Sequence, residues 1–275
     1  MWELKTIWST LKQSSSITIA TPSGRITGSI NYCQGLPYYL FRNNRGPGHL
    51  VAFMHGYTDN ALLGLSTALD LADNGFTAVL PEARWHGQEQ PANFEDLFNS
   101  DNFIYSIFKV IRSAVTGISK LTTYLQNQGL ALSGEAGICG FSMGAYISYL
   151  LPVFDKRFTV AAPVSGSPFH YDAKAAEHFK VNLESNKRQL EGIPEASQYI
   201  AELQSVSWLI QHADDDETVS AEGSRKFCQM LQKEKTPNNF KAVFYNTGGH
   251  NYHDYMRSEL VNWFVKQLLQ KHLPL

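Results

Sequence analysis

Between His49 and Leu269 the chain alternates short, uninterrupted apolar runs with longer amphipathic stretches, and this alternation restricts the fold more than any other feature. His49-Leu-Val-Ala-Phe-Met54, Phe76-Thr-Ala-Val-Leu80, Glu135-Ala-Gly-Ile-Cys139, Arg157-Phe-Thr-Val-Ala-Ala162, Val206-Ser-Trp-Leu-Ile-Gln211 and Phe240-Lys-Ala-Val-Phe-Tyr245 each have the length and apolar density of a strand buried on both faces. Helical spacing separates them: residues 61–74, stopped by Gly75; about 102–127, with Ile104, Ile107, Phe108, Ile111, Val115, Ile118, Leu121 and Leu125 on one face; 142–151; 220–233; and a last helix with Leu260, Val261, Phe264, Val265, Leu268 and Leu269 buried. Strands joined through helices run parallel, so the expected fold class is α/β, a mostly parallel central sheet with helices on both faces.

Two segments depart from this rhythm. In the first 45 residues, Ile17-Thr-Ile-Ala20 and Arg25-Ile-Thr-Gly-Ser-Ile-Asn-Tyr32 flank Pro22-Ser-Gly24, the pattern of a polar N-terminal β-hairpin. Residues 167–205 contain no strand-like run but carry helical pieces around 174–190 and 196–203. An insertion of that length at the carboxyl edge of a parallel sheet is either a small helical cap over a ligand site or a helical pair that covers the sheet. The whole chain, 1–275, reads as a single domain with this insertion inside it, long enough to close a core without metal or disulfide.

Composition narrows the function classes. Charged residues are 17% of the chain and hydrophobic ones 43%, too apolar for a disordered segment. A formal net charge of −2 leaves no basic excess to neutralise phosphates, so nucleic-acid binding is not expected. Cys33, Cys139 and Cys228 are odd in number, widely spaced and free of a C-x-x-C pair, which reads as reduced thiols and a cytoplasmic location. The opening Met1-Trp-Glu-Leu-Lys-Thr lacks the pattern of a signal peptide, and no run of about 18 apolar residues predicts a membrane span.

Gly140-Phe-Ser142-Met-Gly144 sits where a strand gives way to a helix. A serine there occupies a tight turn with its hydroxyl above the sheet, and the flanking glycines spare the turn a Cβ that would collide with strand and helix. The helix beginning behind it aims free N–H groups at any developing anion. A serine hydroxyl needs a base, and among nine histidines His250 stands directly after the strand 240–245, in Thr247-Gly-Gly-His250, level with Ser142. His253, three residues on, is the second choice. The histidine needs a carboxylate, and Asp214, Asp215 and Asp216 follow the strand ending at Gln211; one points inward and the others are solvated turn residues. Oxyanion donors are expected from the backbone N–H of Met143 and, after the strand ending at Met54, from that of Tyr57, which Gly56 allows to approach. The side chains of His55 and His212 are expected to brace loops, and His86 either contacts substrate or bonds within its own loop. No zinc or nucleotide-loop spacing is present.

With these residues in place, the chain resembles the α/β-hydrolase superfamily from about residue 15 to its last helix. His55-Gly-Tyr57, Gly140-Phe-Ser-Met-Gly144, His212-Ala-Asp-Asp-Asp216-Glu-Thr-Val219 and Gly249-His250 carry the likeness, in the order nucleophile, acid, base. The third segment is similar to the family's H-G-x-x-D-x-x-V stretch, with Ala213 in place of the glycine, and this likeness selects Asp216. Residues 78–87, with Pro81-Glu-Ala-Arg-Trp-His86-Gly87, resemble the small bacterial serine esterases related to dienelactone hydrolase and the acyl-peptidase branch. The resemblance implies hydrolysis of small-molecule carboxylic esters of small or medium acyl chain, with no cofactor. Ser142 replaces the cysteine of dienelactone hydrolase itself and argues against that enzyme's particular reaction. An aminopeptidase or amidase is the alternative, for which Glu82, Glu177 and Glu184 are candidate anchors of a substrate amine; a non-catalytic binding protein is the other. Phe169, Tyr171, Phe179 and Leu183, with Tyr57 and Trp85, are expected to make the pocket partly apolar.

Overall fold

A computed structural model describes residues 4–190, 192–234 and 239–270. After helix α1 (Leu4–Ser14) come three strands, β1 (Ser16–Thr21), β2 (Gly24–Cys33) and β3 (Leu36–Asn43). The alternating part follows: β4 (Leu50–Met54), α2 (Leu65–Asp73), β5 (Thr77–Pro81), the short α3 (Phe94–Leu97), α4 (Phe103–Asn127), β6 (Ala136–Phe141), α5 (Met143–Phe154) and β7 (Phe158–Val164). Three small helices, α6 (Ala173–His178), α7 (Leu183–Gln189) and α8 (Ile200–Leu203), precede β8 (Ser207–Ala213), α9 (Ala221–Glu234), β9 (Phe240–Tyr245) and α10 (Asp254–Phe264).

All these strands form one sheet in the order β1-β2-β3-β5-β4-β6-β7-β8-β9. From β5 to β9 every pairing is parallel, whereas β1, β2, β3 and β5 pair antiparallel. The expected hairpin is present, with Thr21 opposite Gly24. It reaches the sheet through β3, which the sequence pattern does not announce because Pro37 argues against a strand; here the proline falls at the second residue, beside the strand end. Helix α1 was equally silent, since it buries only Ile7 and Leu11, a single i,i+4 pair.

Side chains alternate across β4 as strand geometry requires. Leu50, Ala52 and Met54 join a core beneath α4, α5 and α9, while Val51 and Phe53 join one beneath α1, α2 and α10. Covering both faces explains why β4, β5, β6 and β8 are buried along their whole length. Among the described residues no helix is long and apolar enough to cross a membrane, and Cys33, Cys139 and Cys228 are buried and free.

Parallel strands present their carboxyl ends on one edge. The turns after β4, β6, β8 and β9 therefore open onto the same side, and they carry Tyr57, Ser142, Asp216 and His250 respectively.

Candidate active site

Ser142 stands between β6 and α5 with φ 55° and ψ −116°, a backbone state that costs a non-glycine residue on the order of 1–3 kcal/mol. Its neighbours make the turn possible. A Cβ on Gly140 would lie 2.5 Å from the Gly144 carbonyl oxygen, and one on Gly144 would lie 2.0 Å from that of Met54. Both contacts are with backbone, which cannot swing aside, so the two glycines serve close approach of α5 to the β4–β6 edge.

The Ser142 hydroxyl lies 2.9 Å from His250 Nε2, and His250 Nδ1 lies 2.8 Å from Asp216 Oδ2. The histidine is delivered by a loop in which Gly249 has φ 59°, a left-handed state suited to glycine. Asp216 is fully buried, and its other oxygen accepts the backbone N–H groups of Thr218 and Val219, each at 2.9 Å. Burial by itself would raise the pKa of this carboxyl. Hydrogen bonds from His212, His250 and Val219 outweigh burial and hold it far below the usual carboxylate range. An ionised carboxylate on Nδ1 fixes the imidazole tautomer that leaves Nε2 free to take the serine proton.

The other two aspartates have separate partners. Asp214 is exposed and pairs with Arg225. Asp215 is more than a solvated turn residue, the role expected of it: its carboxylate accepts the N–H groups of Gly248 and Gly249, at 3.2 and 2.7 Å, and so holds the loop that delivers His250. Nothing in local sequence separates these roles, because they depend on what β9 brings alongside. His212 braces the acid turn, with Nε2 3.0 Å from the Val219 carbonyl and 3.3 Å from Asp216. His253 bonds the Gly248 carbonyl at 2.8 Å and leaves Ser142 to His250. His55 is fully buried, 2.8 Å from the Gly56 carbonyl, and its Nε2 accepts the Ala83 N–H.

Two recesses meet at Ser142. The first is bordered by Tyr57 and Met143 and walled by Ile104, Ile107, Phe108 and Ala176. Ile104, placed by its spacing on the buried stripe of α4, thus faces this recess. Phe179 of the insertion borders it, as does Tyr57, whose ring is held among Phe94, Phe98, Phe103 and Phe179 at centroid distances of 4.9–5.7 Å. Phe94 and Phe98 lie in the stretch after β5, where no helical or strand spacing of apolar residues is visible. Phe169, Tyr171 and Trp85 border neither recess; Tyr171 is exposed, and Trp85 is covered by the Arg84 and Lys109 side chains. The side chain of Leu183 lies outside the described residues. The second recess, on the His250 side, is bordered by Thr58, Asp59, His178, Asn251, Tyr252 and His253.

None of the three glutamates considered as amine anchors borders either recess. Glu82 is buried against His55 and accepts the Ala61 N–H, Glu177 is exposed on α6, and Glu184 pairs with Arg188 in solvent. Two other acids lie there: Asp172 borders the first recess, its carboxylate accepting the Ala175 and Ser220 N–H groups, and Asp59 borders the second. His86 is buried, with Nδ1 2.8 Å from the Arg84 carbonyl of its own loop and aromatic rings around it. Burial lowers its pKa to about 4, against a smaller upward pull from the Arg84 carbonyl.

A hydroxyl, an imidazole and a buried carboxylate in hydrogen-bonded sequence, at a strained turn before a helix, have the geometry of an activated nucleophile. Comparisons with known proteins place the chain among hydrolases. The sequence profile of the prolyl oligopeptidase family matches residues 113–271. “Putative esterase YitV” of Bacillus subtilis is 33% identical over 96 residues, 34% of this chain and 35% of that protein, so the chain spans about a third of the length of this relative. Among solved structures, TT1662 from Thermus thermophilus shares 15% identity and a TM-score of 0.73, over 89% of this chain and 99% of that one. A protein from Klebsiella pneumoniae described as a putative dienelactone hydrolase gives 15% and 0.67 over the same shares. At such identities these structures speak for the fold, and the architecture is that of the α/β hydrolases.

Proposed function

The chain belongs to the prolyl oligopeptidase family of α/β hydrolases, and from that premise we propose that it hydrolyses carboxylic esters through an acyl-enzyme on Ser142. The observation that carries this reading is the hydrogen-bonded series Ser142–His250–Asp216, at 2.9 and 2.8 Å, with the serine at a strained strand-to-helix turn.

His250 Nε2 takes the hydroxyl proton as Ser142 Oγ bonds to the ester carbonyl carbon. The carbonyl oxygen becomes an oxyanion, which the backbone N–H groups of Tyr57 and Met143 receive; both residues border the recess at Ser142. Asp216 keeps the imidazole in register and stabilises it as imidazolium. His250 then gives its proton to the departing alkoxide as the carbon–oxygen bond breaks. Water, deprotonated by the same histidine, releases the acid and restores Ser142. The apolar lining of the first recess fits acyl chains of small or medium length. The insertion 167–205 acts as a cap in this reading, since His170, Ala176 and Phe179 border that recess. A second reading, cleavage of amides or peptides by the same groups, is favoured by the family to which the chain belongs.

Hydrolysis of p-nitrophenyl esters of two to eight carbons, beside amino-acid anilides, tests both. The ester reading expects rates that peak at short or medium chains and fall by about 10³-fold or more in Ser142→Ala. Anilide turnover exceeding that of every ester moves the function to the amide reading. Equal rates in wild type and Ser142→Ala overturn both and leave a binding protein on a hydrolase fold.

A further inference from the structure

The two recesses are not equivalent, because the general acid must reach the leaving atom. His250 borders the second recess and not the first. A leaving group protonated by His250 Nε2 therefore lies in the second recess, and the acyl chain in the apolar first one.

The charge of the second recess is one-sided. Its border holds three imidazoles, His178, His250 and His253, no lysine or arginine, and a single carboxylate, Asp59. Asp59 follows Gly56-Tyr57-Thr58 in the turn after β4, where its N–H bonds the Gly56 carbonyl. Its carboxylate reaches back beside the nucleophile: Oδ2 is 2.7 Å from where a Cβ on Gly56 would stand, and that same point is 3.4 Å from Ser142 Cβ. The side chain is half-buried, and among the described residues it has neither a hydrogen-bond donor nor an ion-pair partner. Burial raises the pKa of this carboxyl, while the nearby imidazoles of His55 and His250 pull it down. A partly desolvated carboxylate with unused acceptor capacity, on the border of a recess, is a binding group waiting for a donor. The faces that share the recess, Tyr57, Phe141, Phe179 and Tyr252, are aromatic and suit an organic cation.

We propose that the second recess is a cation-accepting leaving-group site, in which Asp59 and the surrounding rings select esters of apolar acids with alcohols that carry an alkylammonium group. This deepens the ester reading and rests on it. The reaction is unchanged: the Ser142 Oγ–acyl bond forms, the acyl–alkoxide bond breaks, and the serine proton passes through His250 to an amino alcohol. Asp59 contributes through binding of the leaving group, as a determinant of specificity.

A matched pair of substrates isolates that contribution. Butyrylcholine and 3,3-dimethylbutyl butyrate have the same acyl chain and nearly the same shape, and differ by the positive charge. With kcat/KM measured by titration of released acid, wild type is expected to prefer the cationic ester by about tenfold or more, since opposite charges near 4 Å attract strongly in a partly dry site. The preference is expected to shrink as salt rises. In Asp59→Asn the ratio is expected to fall close to one. Equal rates on the two esters in wild type, or a ratio that Asp59→Asn leaves unchanged, overturns the proposal while the ester reading stands. Hydrolysis of neither ester above the Ser142→Ala rate sinks the ester reading instead. The cation site is then judged by choline titration of the Ser142→Ala protein, followed by NMR: binding that Asp59→Asn abolishes upholds it, and no Asp59-dependent binding refutes it.

Discussion

Asp216→Asn exchanges one carboxylate oxygen for an amide NH₂ at almost no change of shape, so its effect follows from hydrogen-bond polarity. Oδ1 of Asp216 accepts two backbone N–H groups, from Thr218 and Val219 at 2.9 Å each. An asparagine keeps those two bonds only if its carbonyl oxygen takes the Oδ1 position. The NH₂ then stands where Oδ2 was, 2.8 Å from His250 Nδ1 and 3.3 Å from His212 Nε2. His212 Nε2 already donates to the Val219 carbonyl, so on that side two donors face each other. On the other side, the amide donates to His250 Nδ1 and forces the proton onto Nε2, the atom that has to accept from Ser142. The wrong tautomer of a catalytic imidazole costs about 10⁴ in turnover in serine proteases, or roughly 5.4 kcal/mol at 1.36 kcal/mol per tenfold. Steady-state kcat on a p-nitrophenyl ester reads this directly, with a thermal melt to establish that the variant is folded. Asp214→Asn is the control, because an exposed pair with Arg225 is worth under about 1 kcal/mol and touches nothing at Ser142. A folded Asp216→Asn protein that keeps more than about a tenth of wild-type turnover, or losses of similar size in the two variants, would refute Asp216 as the orienting acid.

Gly144→Ala pits two effects of opposite sign. Alanine loses less chain entropy on folding than glycine, by up to about 1 kcal/mol, but its Cβ would sit 2.0 Å from the Met54 carbonyl oxygen. The clash is expected to win by about 3 kcal/mol or more in urea unfolding, and a stabilised variant would show that α5 has room to move. His86 couples folding to acidity. Its folded pKa, about 4, lies below the ordinary 6.5, so between these values the unfolded chain binds a proton that the folded chain does not. Stability is therefore expected to fall as pH drops through this window, by on the order of 3 kcal/mol at its lower end. Chemical denaturation at pH 7 and pH 4.5 should show a smaller loss in His86→Phe, and equal losses would contradict a buried neutral imidazole.

The elements legible in the sequence are those whose cause is local. Continuous apolar runs mark β4 to β9, and the helices between them announce themselves by spacing, because a strand or helix covered on one or both faces must repeat its apolar positions. The first helical piece of 167–205 divides into α6 and α7, while α1 and β3 carry no clear sequence pattern, one because it buries only two side chains and the other because of its proline.

At the candidate site, the meeting of Ser142 and His250 was readable from the sequence alone. Each sits just after a strand, and parallel strands bring their carboxyl ends to one edge whatever the details of packing. The glycines at 140 and 144 were readable for the same reason: a tight strand-to-helix turn excludes a Cβ at those points. Tertiary structure decided what depends on partners far away in the chain. Asp214, Asp215 and Asp216 are chemically identical and adjacent. Only the packing of β8 against β9 leaves the first in solvent with Arg225, sets the second under the glycines of the His250 loop, and buries the third against two imidazoles. The rings of Phe94 and Phe98 around Tyr57, and the carboxylate of Asp59 beside Ser142, belong to the same class. A side chain's charge state and contacts are set by what surrounds it, and for these residues the surroundings come from segments that meet only once the sheet has formed.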